Sequence, residues 1–391
     1  MKIAGVIAEY NPFHAGHAYH LRMTREMTGC DYIAVCMDGS YTQRGTAACL
    51  SKWERARMAL ACGADAVFEL PALFAVRTAD VFALGGVAVL GGVGADVLSF
   101  GSETDDRGLL MKLADLRQEE PPEVADAVRR NLSAGQSHAR AWGSAAAEYL
   151  HVDPEMLNAP NLILGAEYIL AMRRLGVNME INPVQRRGAY HDENLNGAGF
   201  ASATAIRAAM QSGDREGALN SVPPEAREIL AAAGTMHAPD DLLLHTLRNM
   251  TEAEIAALPD VSEGLERRVR QMAQTAATAE ALIDSVKCKR YTRARLSRLT
   301  AHAMLGLTDD LAKRHPAPVY ARLIGMRADA KPMLAEMKKR ASLPIVSDPV
   351  KLRDDEVFRL ECRATDLRAL QCDRPEERRM GQEFTQKFVR I

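Results

Sequence analysis

"IAGVIAEYNPFHAGHAYHL", residues 3–21, joins an apolar run, Ile3–Ala8 broken by Gly5, to a segment holding three of the chain's ten histidines. A helical stretch follows from His17 to Met27. Further short apolar runs at Tyr32–Met37, Ala66–Leu70 and Val97–Phe100 alternate with helical stretches at Lys52–Cys62 and Thr78–Leu90. Fully apolar strands separated by helices of this length predict an α/β fold, a Rossmann-like parallel sheet covered on both faces with right-handed crossovers. Ligands of such sheets bind beyond the carboxyl ends of the strands. "HAGH" (His14–His17) and "SFGSE" (Ser99–Glu103) both stand at that end.

Two histidines three apart could share a metal ion, with His20 as a third ligand. Yet Gly16 interrupts the spacing, and the segment opens at a strand end rather than inside a helix, so no metal is expected there. An anion fits better. A helix N-terminus presents unsatisfied N–H groups and partial positive charge. Pro12 fixes the turn, and Gly16 has no side chain to hold a nucleotide off the backbone. His14 and His17 would then donate hydrogen bonds to charge developing at phosphorus. A single core histidine is common; two flanking a glycine at a strand end call for another explanation.

Further along, "PPEVADAVRRNLSAG", "SHARAWGSAAAEYLH" and "NLILGAEYILAMRRLG" read as helices, the last ending on Gly176 as a C-cap. A strand at Met179–Val184 leads into a Gly/Asn-rich loop. Ser202 is the expected N-cap of the next helix, which brings Ser202, Thr204 and Arg207 to one end as phosphate partners. From about Asp214 the text is mainly helical until a short Leu343–Val346 run, and "QSGDREGALNSVPPE" marks a boundary. Residues 1–215 are therefore expected as one domain and 216–391 as a second, mainly helical one.

Charge divides the chain as well. Formal net charge is −2, but residues 285–391 hold 24 Lys+Arg against 14 Asp+Glu, a local +10 on a body of −12. "SVKCKRYTRARLSR" contains Lys287, Lys289, Arg290, Arg293, Arg295 and Arg298 with Tyr291 among them, cations for phosphates and one ring for stacking a base. Gln43 and Arg44 of "TQRG" lie after the second strand and could touch a carboxylate or RNA. "LSKWER" reads as a helix start capped by Ser51. Seven cysteines with no C-x-x-C pair argue against a disulfide framework or cysteine zinc site and suit a reducing, cytoplasmic setting. The opening residues read as a strand rather than a basic and then apolar signal peptide, and no apolar run reaches membrane-spanning length, so neither a signal peptide nor a membrane span is expected.

"NPFHAGH" resembles the H-x-G-H motif of the nucleotidyltransferase superfamily, and "SATAIRAAM" its second, triphosphate-holding motif. In order, "AEYNPFHAGHAYHL", "QRGTAACLSKWERARMAL", "FELPALFAV", "SFGSE", "APNLILGAEYI", "RRGAYHD", "SATAIR" and "KRYTRARLSR" resemble the bacterial tRNA(Met) cytidine acetate ligases. That resemblance implies a nucleotidyltransferase-type sheet followed by a tRNA-binding domain. It implies a ligase that uses ATP, with Mg²⁺ on its phosphates, and acetate to form acetyl-adenylate. The acetyl group then passes to N4 of the wobble cytidine of elongator methionine tRNA. His14, His17 and Arg207 would be catalytic. ATP would lie along Ile7, Ala8, Glu9, Tyr10, Asn11, Pro12, Phe13, His14, Ala15, Gly16, His17 and His20. It would also meet Gly101, Asn161, Arg186, Arg187, Ser202 and Thr204. Two positions depart from the family pattern. Leu162 replaces the second Asn of P-N-N, and Asp38 replaces a serine, placing an anion near the expected acyl site. These departures leave open two alternatives: an RNA-binding protein with altered chemistry, or an adenylating enzyme for another carboxylic acid.

Overall fold

The structure, a computed structural model, describes residues 1–136, 138–157, 159–186 and 200–391. Eight strands form one sheet: β1 (Ile3–Ala8), β2 (Tyr32–Asp38), β3 (Ala66–Leu70), β4 (Val97–Ser102), β5 (Glu180–Gln185), β6 (Ala321–Met326), β7 (Ile345–Val346) and β8 (Val389–Arg390). Their order is β5-β4-β1-β2-β3-β6-β7, with β8 beside β6. Strands β1 to β5 are parallel throughout. This is the expected Rossmann-like arrangement, and the reversal of order at β1 puts the crevice beyond the ends of β1 and β4.

Strand periodicity assigns the faces. Ile3 and Ile7 enter one core with Phe68, Phe82 and Leu90, while Ala4 and Val6 enter the opposite core with Ile33, Met58 and Ile206. Seven helices matter for the site: α1 (Ala15–Thr28), α2 (Lys52–Ala61), α3 (Ala79–Gly92), α4 (Pro160–Leu175), α5 (Ala203–Ser212), α6 (Arg293–Leu305) and α7 (Glu356–Leu370). Helix α3 lies so close on the sheet that a Cβ on Gly5 would come within 2.8 Å of the Leu90 side chain, which accounts for the glycine inside the first strand.

The C-terminal region differs from the sequence reading. Strand β6 was expected as helical text, yet it pairs antiparallel with β3, Ala66 opposite Met326 and Glu69 opposite Arg322. Its apolar run follows Pro316 and Pro318, a local signal for a strand start. A buried ionic cluster fastens the return. Lys52 of α2 pairs with Glu69 of β3, with Glu361 of α7 and with Glu383; Arg322 of β6 reaches Glu69 and Glu383, each at 2.6 Å. Breaking one partner of such a set strands a charge in the core and costs about 3–5 kcal/mol.

Nor does the packing break at 215/216. Ala218, Val222, Ala226 and Leu230 join the core that holds Val6 and Ile33. A separate helical core runs from Leu243 to Ala303. No helix among the described residues is long and apolar enough to cross a membrane.

Candidate active site

The "HAGH" turn is a helix cap built from imidazoles. His14 is the N-cap of α1, and its Nδ1 accepts the Gly16 N–H at 3.0 Å. His17, in the first turn, accepts the His14 N–H on its own Nδ1 at 3.3 Å. This reciprocal pair does what Ser and Glu do in an ordinary capping box. It also fixes the tautomer: with both Nδ1 atoms accepting, each neutral ring carries its proton on Nε2. The rings stack 3.7 Å apart, and a Cβ on Gly16 would come within 2.9 Å of the His14 ring.

Burial, then the guanidiniums of Arg186 and Arg207, push His14 down to about 3. His17 also falls well below the ordinary value, through burial and then its neighbours His14 and Arg186. His20 falls to about 4, through burial and Arg186. Its Nε2 lies 3.2 Å from Ser99 Oγ, which also meets Thr24 and Asn182. At neutral pH the site therefore offers uncharged imidazole donors beside guanidinium charge.

These groups line a cavity of about 520 Å³ beyond the ends of β1 and β4. A second helix N-terminus faces it. Ser202 caps α5, accepting the Ala205 N–H at 3.1 Å, and Ser202, Ala203, Thr204 and Arg207 line the wall. Arg207 donates to the Asn11 carbonyl and, at 3.2 Å, to Thr204 Oγ1, tying the two helix starts together. Two N-termini with adjoining arginines suit a polyphosphate.

Residues 1–383 match the HIGH nucleotidyl transferase family. The chain belongs to that family, among its tRNA(Met) cytidine acetate ligases. It is 35% identical to the tRNA(Met) cytidine acetate ligase of Acetivibrio thermocellus over 414 residues, covering 100% of both chains. It is 37% identical to that of Syntrophotalea carbinolica over 358 residues, 89% of this chain and 85% of the relative. Two crystal structures of Thermotoga maritima TmcAL cover 100% of both chains. The apo form I matches with a TM-score of 0.92 at 31% identity, and form II bound with alpha-thio ATP with 0.89 at 30%.

Against the family's expected site, the cavity brings together Ile7, Ala8, Glu9, Tyr10, Asn11, His14, Gly16, His17, His20, Gln43, Arg44, Gly101, Asn161, Arg186, Ser202, Thr204 and Arg207. Pro12, Phe13 and Ala15 do not line it; Phe13 is fully buried edge-on to Tyr10, 4.7 Å between ring centres. Arg187 lies outside the described residues. Asn161 lines the cavity, but its amide nitrogen donates to Glu103 at 2.7 Å, and Glu103 also accepts the Leu162 N–H at 2.8 Å. Glu103 thus caps α4, while the Leu162 side chain is core. Asp38 does not enter the cavity either. It is fully buried beside Arg55 at 2.5 Å, and burial outweighs that guanidinium and pushes its carboxyl well above the ordinary value, so it places no anion in the cavity.

Sequence reasoning missed an apolar wall: Phe82 from α3, Phe100 from β4, and Leu164 and Tyr168 from α4. Periodicity marks these as core, and only the crevice between α3, α4 and the sheet turns them toward a ligand. Ser51 caps α2 as expected, in a box with Glu54.

The basic stretch is corrected in part. Tyr291 is buried in the helical core and its hydroxyl donates to the Glu263 carbonyl at 2.8 Å, so the ring cannot stack on RNA. Arg293 pairs with Glu280 and Asp284, and Arg290 with Glu263 at 3.3 Å. Arg295 donates to the Asp260 carbonyl and Ser262, and Arg298 is half-buried. Lys287 and Lys289 are exposed, with no ion pair among the described residues.

Proposed function

We propose that the cavity joins ATP and acetate into acetyl-adenylate and passes the acetyl group to N4 of the wobble cytidine of elongator tRNA(Met). One observation carries this reading: two neutral imidazoles with fixed Nε2–H donors face the same cavity as the α5 N-terminus and Arg207. In the first step an acetate oxygen forms a bond to the α-phosphorus and the bond to pyrophosphate breaks. The His14 and His17 donors meet the charge that grows on the α-phosphate, while Arg207, Ser202 and Thr204 hold the leaving phosphates.

With Asp38 buried beside Arg55 and Leu162 in the core, neither departure from the family pattern places an obstacle in the cavity. Mg²⁺ is proposed as a companion of the phosphates, held by their oxygens and water. The one three-carboxylate cluster among the described residues, Glu69, Glu361 and Glu383, is already filled by Lys52 and Arg322. The tRNA role expected for residues 216–391 narrows to the helical unit Leu243–Ala303 and its exposed Lys287 and Lys289.

The test is direct. The purified protein is incubated with ATP, labelled acetate and total bacterial tRNA, and digested nucleosides are separated. Label in N4-acetylcytidine, with pyrophosphate release that requires acetate, is the expected result. Pyrophosphate release indifferent to acetate would refute the reading.

A further inference from the structure

Acyl transfer to an exocyclic amine has a requirement that adenylation lacks. As nitrogen bonds to the carbonyl carbon it sheds a proton, and some group must take it. The cavity is rich in donors and poor in acceptors. His14 and His17 have their Nδ1 lone pairs occupied by backbone N–H groups. His20 is engaged with Ser99. Arg44, Arg186 and Arg207 are guanidiniums, which only donate.

Glu9 is the one carboxylate lining the cavity among the described residues. It stands one residue past β1 and is held firmly. Its Oε1 accepts the Gln43 N–H at 2.9 Å, and its carbonyl oxygen accepts from Arg55 Nη1 at 2.6 Å. Oε2 takes no hydrogen bond among the described residues. Glu9 lines the same cavity as Arg207 and Tyr168, and its charge acts on both.

We propose that Glu9 is the catalytic base of acetyl transfer, a role distinct from binding ATP; the proposal rests on the acetyl-transfer reading above. The amine nitrogen forms its bond to the acetyl carbon, the carbon–oxygen bond to AMP breaks, AMP leaves with that electron pair, and the nitrogen's proton passes to Glu9 Oε2 and on to solvent. Each atom and charge is then accounted for without a further reactant.

Glu9→Gln separates the steps, because an amide oxygen still accepts the Gln43 N–H. The full-length variant is assayed for acetate-dependent ATP–pyrophosphate exchange, for capture of acetyl-adenylate by hydroxylamine, and for acetylation of tRNA(Met). The expected result is a fall in tRNA acetylation about 10²–10⁴-fold larger than whatever fall the same variant shows in exchange and hydroxamate formation. Glu9→Asp, which keeps the carboxylate, recovers part of the transfer, and it decides by the same ratio should Glu9→Gln not fold. Equal loss of exchange and transfer in a folded variant overturns the proposal, as does undiminished tRNA acetylation. Absence of exchange in the wild type instead removes the acetyl-transfer reading, and this proposal with it.

Discussion

Residues 9–20 and residues 285–298 are both dense in nitrogen-bearing side chains, and they use them in opposite ways. In the first segment His14 and His17 each cap a helix through Nδ1, and both rings line the cavity. In the second, four of the six cations are bound to carboxylates, carbonyls or a hydroxyl, or lie half-buried, and the tyrosine serves the core. The difference is one of range. Side-chain direction at a strand end followed by a helix start is set within a few residues. On a helix packed among others, it is set by neighbours that are remote in sequence, such as Glu263 and Glu280.

The sharpest way to break this contrast is His14→Asn. Asparagine is a good N-cap, so the helix start stays intact while the ring's Nε2–H is lost. Adenylate formation, read as acetate-dependent ATP–pyrophosphate exchange, should fall about 10²–10³-fold with little change in urea midpoint. An unchanged exchange rate would reduce the imidazole to a cap.

A second test uses acid. His14 and His20 are held below the ordinary histidine value, so the unfolded chain binds more protons than the native one between about 6.5 and their folded values near 3 and 4. Stability is thus fully present above about 6.5 and declines as pH falls through that window, by up to about 1.4 kcal/mol per ring per pH unit. Urea denaturation at pH 7.5 and 5 measures this, and NMR should find both rings unprotonated at pH 5.5. Titration of either ring near 6.5 would contradict the buried, neutral pair.

In the basic segment, Tyr291→Phe should cost about 1 kcal/mol of stability by orphaning the Glu263 carbonyl, with tRNA affinity unchanged. A large loss of affinity at full stability would restore the ring to the RNA. The double change Lys287→Glu, Lys289→Glu should weaken tRNA binding and lower its log–log salt slope by about 2, leaving exchange intact. Binding that ignores salt would move the RNA interface elsewhere.

Much of the cavity was legible because its signals are short-range. The run Ile3–Ala8 is a strand to the residue, and Ser202 caps its helix as read. The apolar wall was not legible, since Phe82, Phe100 and Tyr168 carry the same periodic signature as any buried side chain. Asp38 looked like a charge at the acyl site because Arg55, seventeen residues on, does not announce that it will fold back to meet it.

By itself the amino-acid order determined the β/α rhythm, the end of the sheet where ligands collect, and the H-x-G-H turn. Hydrophobic period and capping chemistry act over a turn or two of chain and need no distant partner. Tertiary structure alone decided that Ala321–Met326 would extend the sheet beside β3, more than 250 residues away in sequence. It also decided which cations of the helical unit stay in solvent. Sheet-edge hydrogen bonds and ion pairs depend on which segments meet, and that is a property of the whole folded chain.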